Sequence, residues 1–264
     1  MLKTRVITAL VLLAGFLGVL FLLPRPWVAV AFALVAGLMA WEWAGLMRIE
    51  SAGRLLYAGI IMISCLAAYN QPGFAFPKLW WISAVFWLLI APVWLWRRWR
   101  MDGNDMAGYF VGWTLIVPTW AAMVGLQERN PWLLFAAMGL VWIADIAAYF
   151  TGRAWGRHKL APLISPGKTW EGVGGAVAGV LIYGAVATRV AGYAPPGMAT
   201  WVLLLVGLTA VSVIGDLFES MIKRQAEVKD SSNLLPGHGG VLDRLDSQTS
   251  TLPMAALAVA WLSS

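Results

Sequence analysis

Residues 200–262 read TWVLLLVGLTAVSVIGDLFESMIKRQAEVKDSSNLLPGHGGVLDRLDSQTSTLPMAALAVAWL. An apolar run at 200–218 gives way to a charged connection at 219–246, then to a shorter apolar run at 247–262. A membrane-spanning helix needs roughly 20 apolar residues, so the stretch reads as two spans joined on one side of a bilayer. The same alternation continues upstream. Apolar segments recur at 6–23, 27–47, 55–69, 79–96, 107–126, 131–150 and 173–194. The sequence therefore predicts an all-α polytopic membrane protein of about nine transmembrane helices, with the third and ninth spans the shortest. It forms one integral-membrane domain over 1–264, with scaffold helices in 1–130 and the chemistry in 131–264.

Composition agrees. The 264 residues are 60% hydrophobic and 12% charged, whereas a soluble domain carries about a quarter charged residues. The net charge of +6 would suggest nucleic acid in a soluble protein. Here the cations sit in short loops between apolar runs, so they report topology. With the N-terminus in the cytoplasm, 15 of the 19 Lys and Arg face inward; only Arg25, Lys78, Arg129 and Arg189 fall at the outer side. The C-terminus then faces outward, and a polar cavity opens to the cytoplasm. The basic, apolar N-terminal segment lacks a small-residue cleavage pattern before Arg25 and reads as the first span.

Trp27, Trp41, Trp43, Trp80, Trp81, Trp94, Trp96, Trp99, Trp132 and Trp201 fit as interface anchors, with plain packing an equal alternative. Pro92, Pro118 and Pro253 fall within spans, where they are expected to kink the helix. The single Cys65 excludes an intramolecular disulfide. Glu42, between Trp41 and Trp43, is costly in a membrane; the sequence leaves open whether it is functional or simply an interfacial acid.

The chemistry concentrates in two stretches. Continuing the eighth span past Gly215 puts Asp216, Glu219, Ser220 and Lys223 at i, i+3, i+4 and i+7, on one helix face. Asp243, Asp246, Ser247 and Ser250 repeat that spacing where the ninth span begins. Two acid-bearing helix ends can thus converge at one depth. Carboxylates with few Cys or His favour hard cations such as Mg²⁺. Between them, Pro236-Gly237-His238-Gly239-Gly240 is a turn whose backbone can approach phosphate closely.

The second stretch is DIAAYFTGRAWGRHKLAPLISPGKTWEGVGG, Asp145 to Gly175. Gly167-Lys168-Thr169 imitates a P-loop, but Pro162 stands where the first glycine is required and no strand precedes it, which excludes that motif. Lys168 reads instead as a phosphate-binding cation. Gly175 and Gly179 form a small-xxx-small pair suited to helix packing, and His158 reads as a loop residue.

Ser220, Lys223, Arg224, Lys229, Asp230, Leu235 to Gly240, Asp243, Arg244 and Asp246 together resemble the signature of the phosphatidate cytidylyltransferases. That signature covers about a tenth of the chain. Ser165, Pro166, Lys168, Thr169, Glu171 and Gly172, with Asp145 upstream, extend the resemblance. It implies transfer of the cytidylyl group of CTP to phosphatidic acid at the cytoplasmic face of the bacterial inner membrane. Asp216 and Asp243 would hold Mg²⁺, with room for a second cation such as K⁺, and Asp246 would support them. Lys168, Lys223, Arg224, Lys229 and Arg244 would neutralise phosphates. Asp145, Ser165, Thr169, Glu171, Ser220, His238 and Gly239 would complete the substrate site. The expected partners are CTP, phosphatidic acid and membrane lipids, with no nucleic acid; a homodimer is left open. Two rivals are a Mg²⁺-dependent enzyme acting on another lipid or polyprenol phosphate, and a transporter for an anionic solute. A transporter would place its ionisable groups near the midplane, between inverted repeats; here they crowd at span ends, and no repeat is visible.

Overall fold

The computed structural model describes residues 2–101, 106–193, 195 and 197–262. The chain runs α1 (Leu2–Leu22), α2 (Arg25–Leu46), α3 (Ser51–Tyr69), α4 (Pro72–Val85), α5 (Ala91–Arg97), α6 (Met106–Arg129) and α7 (Pro131–Trp155). A short hairpin follows, β1 (Lys159–Ala161) and β2 (Ser165–Thr169), then α8 (Trp170–Val190), α9 (Met198–Gln225) and α10 (Leu242–Leu262). Among the described residues, seven helices are long and apolar enough to cross a membrane: α2, α3, the segment Ala75–Arg97, α6, α7, α8 and α9. The chain is an all-α polytopic membrane protein apart from its hairpin. The first predicted span lies in α1, whose apolar part, Val6–Leu22, is shorter than those seven.

The ninth predicted span lies in α10, which is too polar to belong to the seven. Its position explains that polarity. α10 packs against α2, α4, α6, α7 and α9, so Ser247, Gln248, Thr249, Ser250 and Thr251 are buried in protein. Most of their polar groups bond to backbone: Ser250 Oγ donates to Val211 O (2.9 Å), Thr251 Oγ1 to Ser247 O (2.8 Å) and Gln248 Nε2 to Met138 O (3.2 Å). Pro253 has no N–H, so it leaves the carbonyl of Thr249 without its helical partner. Trp87 Nε1 donates to that carbonyl instead (3.1 Å), and Thr119 Oγ1, which shares its one proton with Leu115 O (2.6 Å), lies 3.1 Å from it. A freed carbonyl inside a membrane needs such donors.

Before Pro92, residues Phe86–Ile90 form a π-helical turn joining α4 to α5, a usual way for a helix to absorb an irregularity. Phe86 and Trp87 from that turn, with Trp94, surround Phe218 of α9 edge-on at centroid distances of 5.4, 5.6 and 5.8 Å. This brace holds α9 two residues beyond Asp216. Trp43 and Trp80 are buried in the core, which corrects their reading as interface anchors. Trp27, Trp81, Trp96 and Trp132 are exposed, as anchors are. α8 lies along α7 through glycines: a Cβ on Gly175 would overlap Thr151, and one on Gly179 would come within 2.8 Å of Ala147 Cβ.

Candidate active site

Four elements bring chemistry-bearing side chains together: the later part of α7, strand β2, the end of α9 and the start of α10. Asp145 stands ten residues before the end of α7 and Asp216 nine before the end of α9. At 1.5 Å per residue, each carboxylate sits about 13–15 Å of helix below its terminus. Asp145 is exposed there and Asp216 half-buried.

Asp216 is held by Lys168 of β2, whose Nζ lies 2.5 Å from Oδ2, and by Ser220 Oγ one turn on, at 3.4 Å. The hairpin aims that lysine. Lys159 pairs with Thr169 and Ala161 with Ser165, the Trp170 amide donates to His158 O (2.9 Å), and Thr169 Oγ1 caps α8 by accepting from the Gly172 amide (3.1 Å). Glu171 accepts the His158 amide and contacts its Nδ1 at 2.6 Å. Thr169 and Glu171, expected at the substrate, are engaged here in shaping the loop; Ser165 opens the strand that carries Lys168.

The second centre is Lys223. Its ammonium contacts Asp243 Oδ1 (2.7 Å) and Glu219 Oε1 (3.1 Å), and all three residues are buried. The other oxygen of Asp243 accepts from the Ser231 amide (2.8 Å), Ser231 Oγ (3.0 Å) and the Gly240 amide (2.8 Å). Asp243 thus ties the 226–241 connection to α9. Gly239, at φ +79°, completes the turn; a Cβ there would lie 2.7 Å from Asp243 Oδ2. His238 donates its amide to Leu235 O (2.8 Å), while its ring Nδ1 is buried with no hydrogen-bond partner among the described residues.

The two centres are electrostatically continuous. Asp246, one turn after Asp243, feels the charges of Asp216, Asp145 and Lys223, and Asp145 feels Lys168 and Arg244. The predicted residues Asp145, Lys168, Asp216, Ser220, Lys223, Asp243, Arg244 and Asp246 therefore share one region. Arg224, in the last turn of α9, and Lys229, on the connection, are exposed; Arg224 donates to Val228 O (3.2 Å), and neither is paired with the site's carboxylates.

Glu42 is the residue the sequence left undecided. It is 1% exposed, and its carboxylate accepts from Ser232 Oγ (2.6 Å), Ser231 Oγ (3.1 Å), and the amides of Val241 (2.9 Å) and Leu242 (2.6 Å). An acid flanked by tryptophans in an apolar helix was the signal; its partners lie about 190–200 residues away and gave no sign of it.

Among the described residues, no three carboxylate, histidine or cysteine side chains are grouped closely enough to enclose a metal. The acids of the region offer carboxylate oxygens, the donor type Mg²⁺ takes one or two at a time beside water and substrate phosphate. The oxygen-only donor set fits it too.

Residues 3–262 match the cytidylyltransferase family. The chain is 44% identical to a phosphatidate cytidylyltransferase of Pseudomonas aeruginosa, covering 99% of this chain and 97% of the relative. It is 36% identical to one of Haemophilus influenzae, covering 96% of each, and 30% identical to one of Mycobacterium bovis, covering 97% and 87%. A match across nearly the whole length means that this chain belongs to the cytidylyltransferase family, with the phosphatidate cytidylyltransferases.

Proposed function

We infer that the protein transfers the cytidylyl group of CTP to phosphatidic acid, forming CDP-diacylglycerol and pyrophosphate in phospholipid biosynthesis. Convergence of Lys168, Lys223 and Arg244 on the carboxylates of Asp145, Asp216, Asp243 and Asp246 carries this reading. A phosphate oxygen of phosphatidic acid attacks the α-phosphorus of CTP; the bond from that phosphorus to the bridging oxygen breaks, and pyrophosphate leaves. The attacking phosphate is already ionised, so no general base is required. Such a transfer depends on positioning and on neutralising charge.

The chain's own cations supply much of that neutralisation. Lys168 and Lys223 are held ready on Asp216 and Asp243, and turn to phosphate when substrate arrives. Arg244, Arg224 and Lys229 line the approach, and Asp145 orients the nucleotide. Mg²⁺ bound by Asp216 and Asp243, with Asp246 beside them, would screen the triphosphate; the same acidic group has the chemistry for a second cation such as K⁺.

The orientation proposed is nine spans in the bacterial inner membrane, with the N-terminus and the site cytoplasmic; the 15-to-4 cation asymmetry supports it. A Lys229→Cys variant in a Cys65→Ala background should resist an impermeant thiol reagent in intact cells, and labelling there would invert the topology. The reaction is tested with purified protein, Mg²⁺, phosphatidic acid and CTP labelled at either the α- or the γ-phosphate. The α-label should enter lipid and the γ-label appear in pyrophosphate. Label reaching only a polyprenol phosphate acceptor would favour the rival lipid enzyme.

A further inference from the structure

We propose that Glu42 is a positioning residue for this site: the fixed anchor of the 231–242 segment, which lets Asp243 exchange its loop donors for a cation without losing the loop. The proposal rests on Asp243 acting as a cation ligand. In this structure both Asp243 oxygens are occupied, one by Lys223 and the other by three donors from Ser231 and Gly240. A cation that approaches through Oδ1 meets Lys223, and one that approaches through Oδ2 competes with the three loop donors. Were those the loop's only ties, ligation through Oδ2 would release the loop.

Glu42 supplies ties of a different kind. Its four donors are uncharged, and two are the Val241 and Leu242 amides where α10 begins. The first amides of a helix have no partner within it and favour an anion, so Glu42 acts as a cap provided from another helix. α2 is a rigid base for that cap, because the adjacent Trp43 is fully buried and donates from Nε1 to Gly108 O (2.9 Å).

Ser231 links the two acids. Its hydroxyl lies 3.1 Å from Glu42 Oε2 and 3.0 Å from Asp243 Oδ2. It has one proton and can donate to only one of them at a time. When Asp243 turns to a cation, that proton passes wholly to Glu42. Ser232 and the two amides stay bound throughout. Gly240 is required for the fit, since a Cβ there would meet Ser231 Oγ and lie 2.6 Å from Glu42 Oε1.

The test uses the full-length protein in detergent and two readouts. Groups that orient a metal ligand typically change metal affinity or activity about 10–100-fold when removed. Glu42→Gln should therefore raise the Mg²⁺ concentration for half-maximal rate at least about tenfold, leaving the KM for phosphatidic acid within twofold. Without Mg²⁺ or substrate, trypsin should cut the variant at Lys229 faster than the parent. Ser232→Ala and Gly240→Ala should give the same pattern, which keeps the proposal testable if Glu42→Gln folds poorly. If Asp243→Asn abolishes turnover while all three variants keep the parental Mg²⁺ requirement and cleavage rate, the role of Glu42 is overturned and the site stands. If Asp243→Asn itself keeps normal Mg²⁺-dependent turnover, the reading of the site fails first.

Discussion

The hairpin connection at 156–169 and the 226–241 connection each meet an aspartate, the first through Lys168 and the second through Ser231 and Gly240, but they are built on opposite principles. The hairpin supports itself: a two-stranded ladder, a threonine cap and a Glu171–His158 contact shape it locally, and its lysine reaches one carboxylate. The longer connection has little regular structure beyond one isolated bridge between Leu235 and Gly239. Its shape comes from two buried acids on other elements, Glu42 and Asp243. The first can lose a side chain and keep its form, because backbone pairing holds it. The second is as ordered as the carboxylates that grip it, so its structure and the chemistry share residues.

That contrast breaks most visibly at the aspartates. Asp216→Asn or Asp243→Asn should lower turnover more than the ~10–100-fold typical of groups one step removed from a metal, measured as kcat in the labelled-CTP assay. Expression and folding in detergent should be largely retained for Asp216→Asn. Asp243→Asn should also loosen the connection, read as faster tryptic cleavage. Equal cleavage in the two variants would remove the distinction between the connections.

Next in size is Lys168→Ala. Its loss should raise KM for CTP or phosphatidic acid about 10- to 100-fold, the worth of one charge-assisted hydrogen bond. The hairpin should survive because its ladder does not use that side chain, and unchanged thermal stability in detergent checks this. Unchanged kinetics for both substrates would make Lys168 a solvated loop lysine. The smallest effect belongs to His158→Ala, which removes one side-chain tie from a hairpin held mainly by backbone. No more than a few-fold change in turnover is expected; a loss as large as that of Lys168→Ala would show that the hairpin depends on side chains after all.

Apolar length and the recurrence of acids at helical spacing made most of the rods and the α9–α10 face readable from sequence. Hydropathy describes α10 poorly because this helix is surrounded by protein rather than lipid, so its buried polar side chains answer to other helices. The hairpin was not anticipated, since Lys159–Ala161 and Ser165–Thr169 are too short and too polar to show strand alternation. Trp43 and Trp80 look like Trp27 and Trp81 in sequence; only packing separates core from interface. Lys223 was placed on the correct face, but its contacts with both Glu219 and Asp243 depend on how two helices meet. Glu42 stood out as an anomaly with no partner, because its donors lie in the far half of the chain.

The central claim is that the two connections serve one site, and a double-variant cycle on Asp216 and Asp243 tests it most directly. Turnover of Asp216→Asn, Asp243→Asn and the combined variant would be measured at saturating CTP, phosphatidic acid and Mg²⁺. Ligands of one unit are non-additive, since losing either disables the whole, so the combined variant should be no slower than the poorer single one within a few-fold. A combined loss equal to the product of the two single losses would mean that the aspartates act independently, and would contradict the account.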